Sequence, residues 1–221
     1  MVIPAYNAER YLEQTIESVL ATDVVDRIIV VDDGSTDQTA GILRRLAAEV
    51  PALVAVSQPN RGVSAARNAG LAAVTTPFTC FLDADDRFLP GGLAGLQARL
   101  LADPEAAAAY GGVDYIDEHG RAIPRRGARP RAKAIGLEDV LQGNFIDTTG
   151  AVLLRTDAAV KAGGFNESLR FAEDWELYTR IVLIGPIVPS DATVVEYRQH
   201  EQSAMHDADL DFSASHGALA V

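Results

Sequence analysis

The chain has 221 residues, with 19 Lys and Arg against 31 Asp and Glu and a formal net charge of −12. That length suits one domain with a full core and is short for two independent enzymes. Hydrophobic residues at 48% and charged residues at 23% exclude a disordered or fibrous chain, and the acidic balance excludes a nucleic-acid backbone as the main partner, which needs a basic surface.

In chain order, "VIP" (2–4) reads as a short strand, and 8–21 carries Tyr11, Leu12, Ile16, Val19 and Leu20 at helical spacing. "RIIVVDD" (27–33) is a β-branched run ending in acids. It is followed by "GSTDQTAGILRRLAAEV", where Ser35 or Thr36 can cap a helix bearing Ile42, Leu43 and Leu46. "LVAVSQ" (53–58) leads into the helix "RGVSAARNAGLAAV". "FTCFLDADD" (78–86) leads into "PGGLAGLQARLLA", with Pro90 placed for a first turn. Apolar strands alternating with amphipathic helices predict an α/β layout for residues 1–112, with a parallel sheet covered on both faces. Beyond 112 the rhythm changes. A hairpin is expected over 113–123, a short helix over 137–143, a strand and helix over 150–165, a helix over 173–185 and a final strand over 193–200. The basic run "RAIPRRGARPRAK" (121–133) reads as a solvated loop, and the small-residue tail after 212 as frayed.

Cys80 lies in an apolar run, has no intrachain cysteine to pair with and reads as a core residue. No signal peptide is read at the start, and no apolar run reaches the roughly 20 residues of a spanning helix. The longest, "IVLIGPIVP" from 181, is broken by Gly185 and Pro186. A cytoplasmic protein is expected, with peripheral association at the inner face of a membrane compatible with this reading.

Ligands of open α/β sheets bind beyond the carboxyl ends of the strands. Here those ends carry "YN" (6–7), "DDGS" (32–35) and "DADD" (83–86). In an extended segment Asp83 and Asp85 point one way and Ala84 the other, so two carboxylates can face one hard cation such as Mg²⁺ or Mn²⁺. A lone D-x-D is more often a polar turn or a helix cap, and the polar clusters at the other strand ends reverse that balance. Of Asp32 and Asp33, one can accept hydrogen bonds from a base N–H or ribose hydroxyls. "PNRGVSAARNAG" is neither a dinucleotide fingerprint nor a phosphate loop. Arg67, projecting from a helix there, can meet a base carbonyl or a phosphate with its planar fork, or form a surface salt bridge. Asp174 stands near a helix start, where acids are common. Glu173 is its neighbour, and Trp175 is either a wall for an acceptor sugar or a core residue.

The blocks "VIPAYNAERYL", "IIVVDDGSTDQT", "NRGVSAARNAGL", "FLDADD", "GGFNESLRFAEDWEL" and "YRQHEQSA" occur in an order that resembles a family 2 glycosyltransferase and cover nearly the whole chain. The resemblance implies a single domain, 1–221, of the glycosyltransferase-A type: a Rossmann-like, mostly parallel central sheet flanked by helices, with a smaller acceptor-side portion. Residues 1–112 would bind the nucleotide sugar and 113–221 the acceptor. Pro4, Ala5, Tyr6, Asn7 and Glu9 would line the nucleotide pocket, with Asp33 on the base and Arg67 beside it. Asp83, Ala84 and Asp85 would form the D-x-D motif, contacting ribose. Asp83, Asp85 and His200 would hold Mn²⁺ or Mg²⁺ on the diphosphate, with Arg198 approaching the same group, and Asp174 would be the general base.

The activity implied is inverting transfer from a nucleotide-diphosphate sugar, UDP-linked ahead of GDP- or TDP-linked, to a hydroxyl of a saccharide or lipid-linked acceptor in polysaccharide biosynthesis. A sugar-1-phosphate nucleotidyltransferase and a non-catalytic nucleotide-sugar-binding protein are the alternatives. The first wants a Gly-rich basic loop after the first strand, and "PAYNAERYL" lacks one. The first strand is short for the family, which fits a trimmed or misassigned start. The chain also stops soon after "YRQH", so acceptor binding is expected to need a further piece or a partner.

Overall fold

The computed structural model describes residues 1–126 and 130–200. Its first half is the expected alternation. β1 (Val2–Ala5), β2 (Ile28–Asp32) and β3 (Leu53–Ser57) are parallel in the order β1-β2-β3, joined through α1 (Leu12–Leu20) and α2 (Thr39–Glu49), with α3 (Val63–Ala72) following. Every residue of β1 and β2 is buried, as a run apolar on both faces requires. Alternation along β2 sends Ile28 and Val30 into the main core with Leu12, Ile16 and Leu43, and Ile29 and Val31 against Ala66 of α3.

The segment after α3 joins the two halves. β4 (Phe78–Thr79) runs on to Phe81, which bridges Val2 in parallel. The Val2 N–H donates to the Cys80 carbonyl at 2.9 Å, and Leu82 N–H donates to the Val2 carbonyl at 3.0 Å. The second sheet has the order β4-β8-β6-β9-β5, with β5 (Arg87–Phe88), β6 (Ala108–Ile116), β8 (Val152–Arg155) and β9 (Ile187–Arg198). β6 is antiparallel to β8 and parallel to β9, so this half is mixed where the first is wholly parallel. α4 (Gly92–Ala102) enters the main core through Leu93, Leu96 and Leu100. α6 (Thr156–Lys161) and α7 (Glu173–Ile181) pack on the opposite side around Tyr110, Leu154 and Tyr178.

Several boundaries differ from expectation. The predicted strand over 78–86 ends early because 83–86 form a turn held by Asp86 N–H donating to the Asp83 carbonyl at 3.2 Å. Pro90 lies outside α4, whose N-cap is Gly91 at φ 76°. The hairpin is present: β7 (Ala122–Arg126) returns along β6, and the Asp117 carboxylate accepts from His119 N–H and Arg121 N–H, each at 2.9 Å, across the turn. The basic run is therefore not one loop. Its first part is strand, and in its last part Arg131 pairs with Asp139 at 2.5 Å and lies 3.5 Å from the Phe145 ring centroid, while 127–129 fall outside the described residues. The short helix at 137–143 appears as α5 (Leu137–Gln142), and β9 starts earlier than predicted, after the Gly185–Pro186 break. Cys80 is buried and unpaired, as expected. The tail after 212 lies outside the described residues.

Gly92 and Gly41 make opposite predictions. A Cβ on Gly92 would stand 2.6 Å from Val194 Cα and 2.9 Å from the Val194 carbonyl oxygen, both backbone atoms of β9. Gly92→Ala should cost about 1–3 kcal/mol in denaturant unfolding. Gly41, inside α2, would place its Cβ 3.6 Å from the Gln38 Oε1, an ordinary contact, so Gly41→Ala should stabilise by about 0.4–1 kcal/mol.

Candidate active site

The loops after β1 and β2, the turn at 83–86 and the start of α7 face one cavity of about 1070 Å³. Among its walls are Tyr6, Asp83, Asp85, Thr148, Asp174 and His200. A smaller pocket of about 360 Å³ adjoins it through Pro4, Tyr6 and Val63, and takes in Ala5, Asp33 and Asn60. The strand ends therefore converge, as the positions of the polar clusters predict.

The loop after β1 is stitched to the entrance of α2. Asn7, at φ 50°, accepts through Oδ1 from Thr36 N–H at 2.8 Å, and its own N–H donates to Ser35 Oγ at 3.0 Å. Glu9 accepts from Gln38 N–H at 2.8 Å, and Ala8 N–H donates to Thr39 Oγ1 at 2.8 Å. Ser35 and Thr36 thus bind the β1 loop instead of capping α2, whose N-cap is Gln38. Asn7 and Glu9 line the cavity, but these side-chain oxygens are engaged in holding its wall. Tyr6 is exposed on both pockets.

Asp33 sits at the base of the smaller pocket, buried, and accepts from Gln58 Nε2 at 2.7 Å, Arg61 N–H at 3.0 Å and Gly62 N–H at 2.8 Å. Two of these reach Oδ1 and one reaches Oδ2, leaving Oδ2 with further acceptor capacity. Asp32 accepts from Ser35 N–H at 3.0 Å, a turn role.

The turn carrying Asp83 and Asp85 is pinned from beneath. Asp86 is fully buried; its carboxylate accepts from Arg198 N–H at 2.9 Å and from Thr148 Oγ1 at 3.4 Å. Burial, with Asp85 and Asp83 adding to it, pushes the Asp86 carboxyl well above the usual range. Thr15 Oγ1 reaches the carbonyls of Ala84 and Asp86 at 2.8 and 2.9 Å. The Arg198 guanidinium donates to the carbonyls of Asp85, Asp117 and Glu118 and to Gln14 Oε1 at 2.8–3.4 Å, and lies 4.6 Å from the Tyr11 ring centroid. Arg198 is only 1% exposed and is not among the cavity walls. In this structure its guanidinium binds backbone under the acids, because β9 places it at the core edge.

Arg67 forms ion pairs, the salt-bridge alternative left open by its sequence. It is absent from the walls of the smaller pocket and lines the larger cavity instead. Its Nη2 donates to Asp83 Oδ1 at 2.7 Å and its Nη1 to Glu173 Oε1 at 2.8 Å, so the fork lies between two acids and not beside Asp33. Burial raises the Asp83 carboxyl against the pull of Arg67. Asp174 stands at the start of α7 and accepts from Trp175 N–H at 2.7 Å and Asn144 Nδ2 at 3.3 Å. Burial first, and the Glu173 charge second, push its carboxyl up to about 6. Glu173, held by Arg67, is the less available of the two acids. Trp175 is a core residue whose Nε1–H donates to the Val140 carbonyl at 2.6 Å.

His200 Nε2 lies 2.8 Å from Asp85 Oδ2, at the cavity wall, with its ring 5.3 Å from that of Tyr11. Among the described residues no three His, Cys, Asp or Glu side chains converge as a closed metal site would. Mg²⁺ and Mn²⁺ on a nucleotide diphosphate do not require one, since one or two carboxylates with phosphate oxygens and water complete the shell. The adjacent Asp85 and His200, with Asp83 two residues away, fit such an open donor set.

These loops sit on a frame shared with known proteins. The description "Glycosyl transferase family 2" matches residues 1–162. The chain belongs to that family. The succinoglycan biosynthesis protein ExoU of Rhizobium meliloti is 32% identical over 207 residues, 84% of this chain and 57% of that protein. Chondroitin synthase of Escherichia coli is 29% identical over 83% of this chain and 26% of its own length. The chain thus spans little more than half of one relative and about a quarter of the other. Among solved structures, S. aureus TarS 1-349 in complex with UDP-GlcNAc superposes with a TM-score of 0.72 at 23% identity, covering 94% of this chain and 60% of that one. The likeness shows the same fold, the glycosyltransferase-A type.

Sequence reasoning did not find Thr15, Thr148 or the pairing of Arg67 with Glu173. A threonine in an amphipathic helix carries no signal of the carbonyls it will meet, and a pairing across 106 residues leaves no spacing to read. The placement of Arg198 is testable. Arg198→Lys should lower stability by about 1–3 kcal/mol in thermal or denaturant unfolding, because buried carbonyls lose their donors. An unchanged unfolding curve with weakened UDP binding would instead assign Arg198 to the diphosphate.

Proposed function

We propose that the protein is an inverting glycosyltransferase that moves a sugar from a nucleotide-diphosphate donor, UDP-linked first, to a hydroxyl of a saccharide or lipid-linked acceptor. The observation that carries this reading is Asp174 held at about 6 in the cavity that also contains the D-x-D turn. Family membership and the TarS complexes with UDP and UDP-GlcNAc support the class of donor.

In this reading the base and ribose lie between the smaller pocket and the β1 loop, with the remaining acceptor capacity of Asp33 Oδ2 facing a base N–H. The sugar lies toward α7. A divalent cation, Mn²⁺ or Mg²⁺, held by Asp85, His200 and Asp83 would stabilise charge on the departing diphosphate. Asp174 takes the proton of the acceptor hydroxyl as its oxygen bonds to the anomeric carbon and the bond to the diphosphate breaks on the opposite face, which inverts that carbon. A carboxyl near 6 is ionised at neutral pH and still basic enough to draw that proton. Glu173 is the poorer base because Arg67 holds it as an ion pair. The nucleotidyltransferase reading loses ground, since the β1 loop carries Glu9 and no glycine and is tied to α2. No described helix is long and apolar enough to cross a membrane.

Calorimetric titration with UDP should give binding that strengthens on adding Mn²⁺, and metal-independent or absent binding of every nucleotide diphosphate would overturn the reading. Asp174→Asn should remove transfer, by about 10²-fold or more, with UDP affinity nearly unchanged. For the wild-type protein, kcat/KM should fall as pH drops through about 6, since protonated Asp174 cannot accept a proton. A flat profile from pH 5 to 8 would move the base elsewhere.

A further inference from the structure

Arg67 is a buried cation whose two terminal nitrogens serve two different loops. Its side chain is 5% exposed; Nη2 meets Asp83 of the D-x-D turn at 2.7 Å, and Nη1 meets Glu173, the residue before Asp174, at 2.8 Å. The guanidinium lies 5.1 Å from the centroid of the Phe165 ring, and its Nε is buried with no hydrogen-bond partner among the described residues. Its orientation is therefore fixed by the two acids and the ring. We propose that Arg67 is a positioning residue that locks the donor-side carboxylate Asp83 to the start of α7, so that one guanidinium sets the D-x-D turn and the base Asp174 in register. This rests on the reading of Asp174 as the base.

The physical case follows from charge and shape. A planar fork can hold two carboxylates at fixed separation, which a lysine cannot do with one ammonium. Asp83 and Glu173 come from distant parts of the chain and would repel each other without the cation between them. Asp174 is faced by Glu173 and Arg67, accepts from Asn144, and has buried Tyr178 nearby on its own helix. Burial outweighs both charges, while Glu173 pushes its carboxyl up and Arg67 pulls it down. Removing one or the other must therefore move Asp174 in opposite directions, an effect that loss of packing alone does not produce.

The test is a carboxyl ¹³C titration of Asp174 in the full chain, free of metal and nucleotide, with each variant checked for folding by circular dichroism. Arg67→Met should raise the Asp174 midpoint above that of the wild type, and Glu173→Gln should lower it. Arg67→Lys should leave the midpoint close to that of the wild type, yet weaken UDP binding in the presence of Mn²⁺ about tenfold and reduce kcat about 10²-fold, because one acid loses its tether. If Arg67→Met does not fold, Glu173→Gln and Arg67→Lys decide. An Asp174 midpoint unmoved in folded Glu173→Gln, or an Arg67→Lys protein with wild-type UDP affinity and kcat, overturns the proposal. Should the wild type turn over no UDP-sugar, the base reading fails, while the titration and UDP–Mn²⁺ arms still judge the coupling by themselves.

Discussion

Burying Asp86 beneath Asp83 and Asp85 places three acids within four residues, and the cleft depends on how that repulsion is contained. Asp86 is taken into the core edge, where Arg198 N–H and Thr148 meet its oxygens while the Arg198 side chain ties down the carbonyls of Asp85, Asp117 and Glu118. A buried carboxylate without such partners would cost several kcal/mol. With them, the turn is held from below by backbone contacts and its other two acids are left to face the cavity.

The same logic recurs on each side of the cleft. His200 lies against Asp85, Arg67 lies against Asp83 and Glu173, and the oxygens of Asn7 and Glu9 accept from the entrance of α2. Asp174 differs: among the described residues its partners are a backbone N–H and an amide, with no cation on its oxygens. On the proposed reading, that contrast in environment, and not the residue type, separates the base from the acids that shape the site. The family supplies the frame on which these loops sit, and the loops supply the chemistry.

Sheet arrangement explains why the acids meet at all. β1 and β2 end together because they are parallel and in register, from Val2 opposite Ile29 to Ala5 opposite Asp32. The 80–82 segment adds on the other side of β1 through two backbone hydrogen bonds at Val2. The D-x-D turn therefore emerges next to the β1 loop. The second sheet then brings β9 beneath the turn, delivering Arg198 and His200 from the far end of the described chain.

Much of this was legible in the sequence. β-branched runs ending in acids, such as "IIVVDD", fixed strands with polar carboxyl ends, and helical spacing fixed α1 to α4, because periodicity reports local burial directly. The ordered motif blocks carried the family, and the strand ends carried the convergence of Asp33, Asp83 and Asp85. What periodicity could not carry was the partner of each polar group. Arg67 and Arg198 look equally free in sequence, yet one lies between two acids and the other under a turn; Pro90 could open a helix, yet stands before it. Hydrogen-bond partners drawn from segments 16 to 184 residues apart are chosen by strand order and packing, so only the tertiary structure decided which charged side chains hold the site together and which are left to act within it.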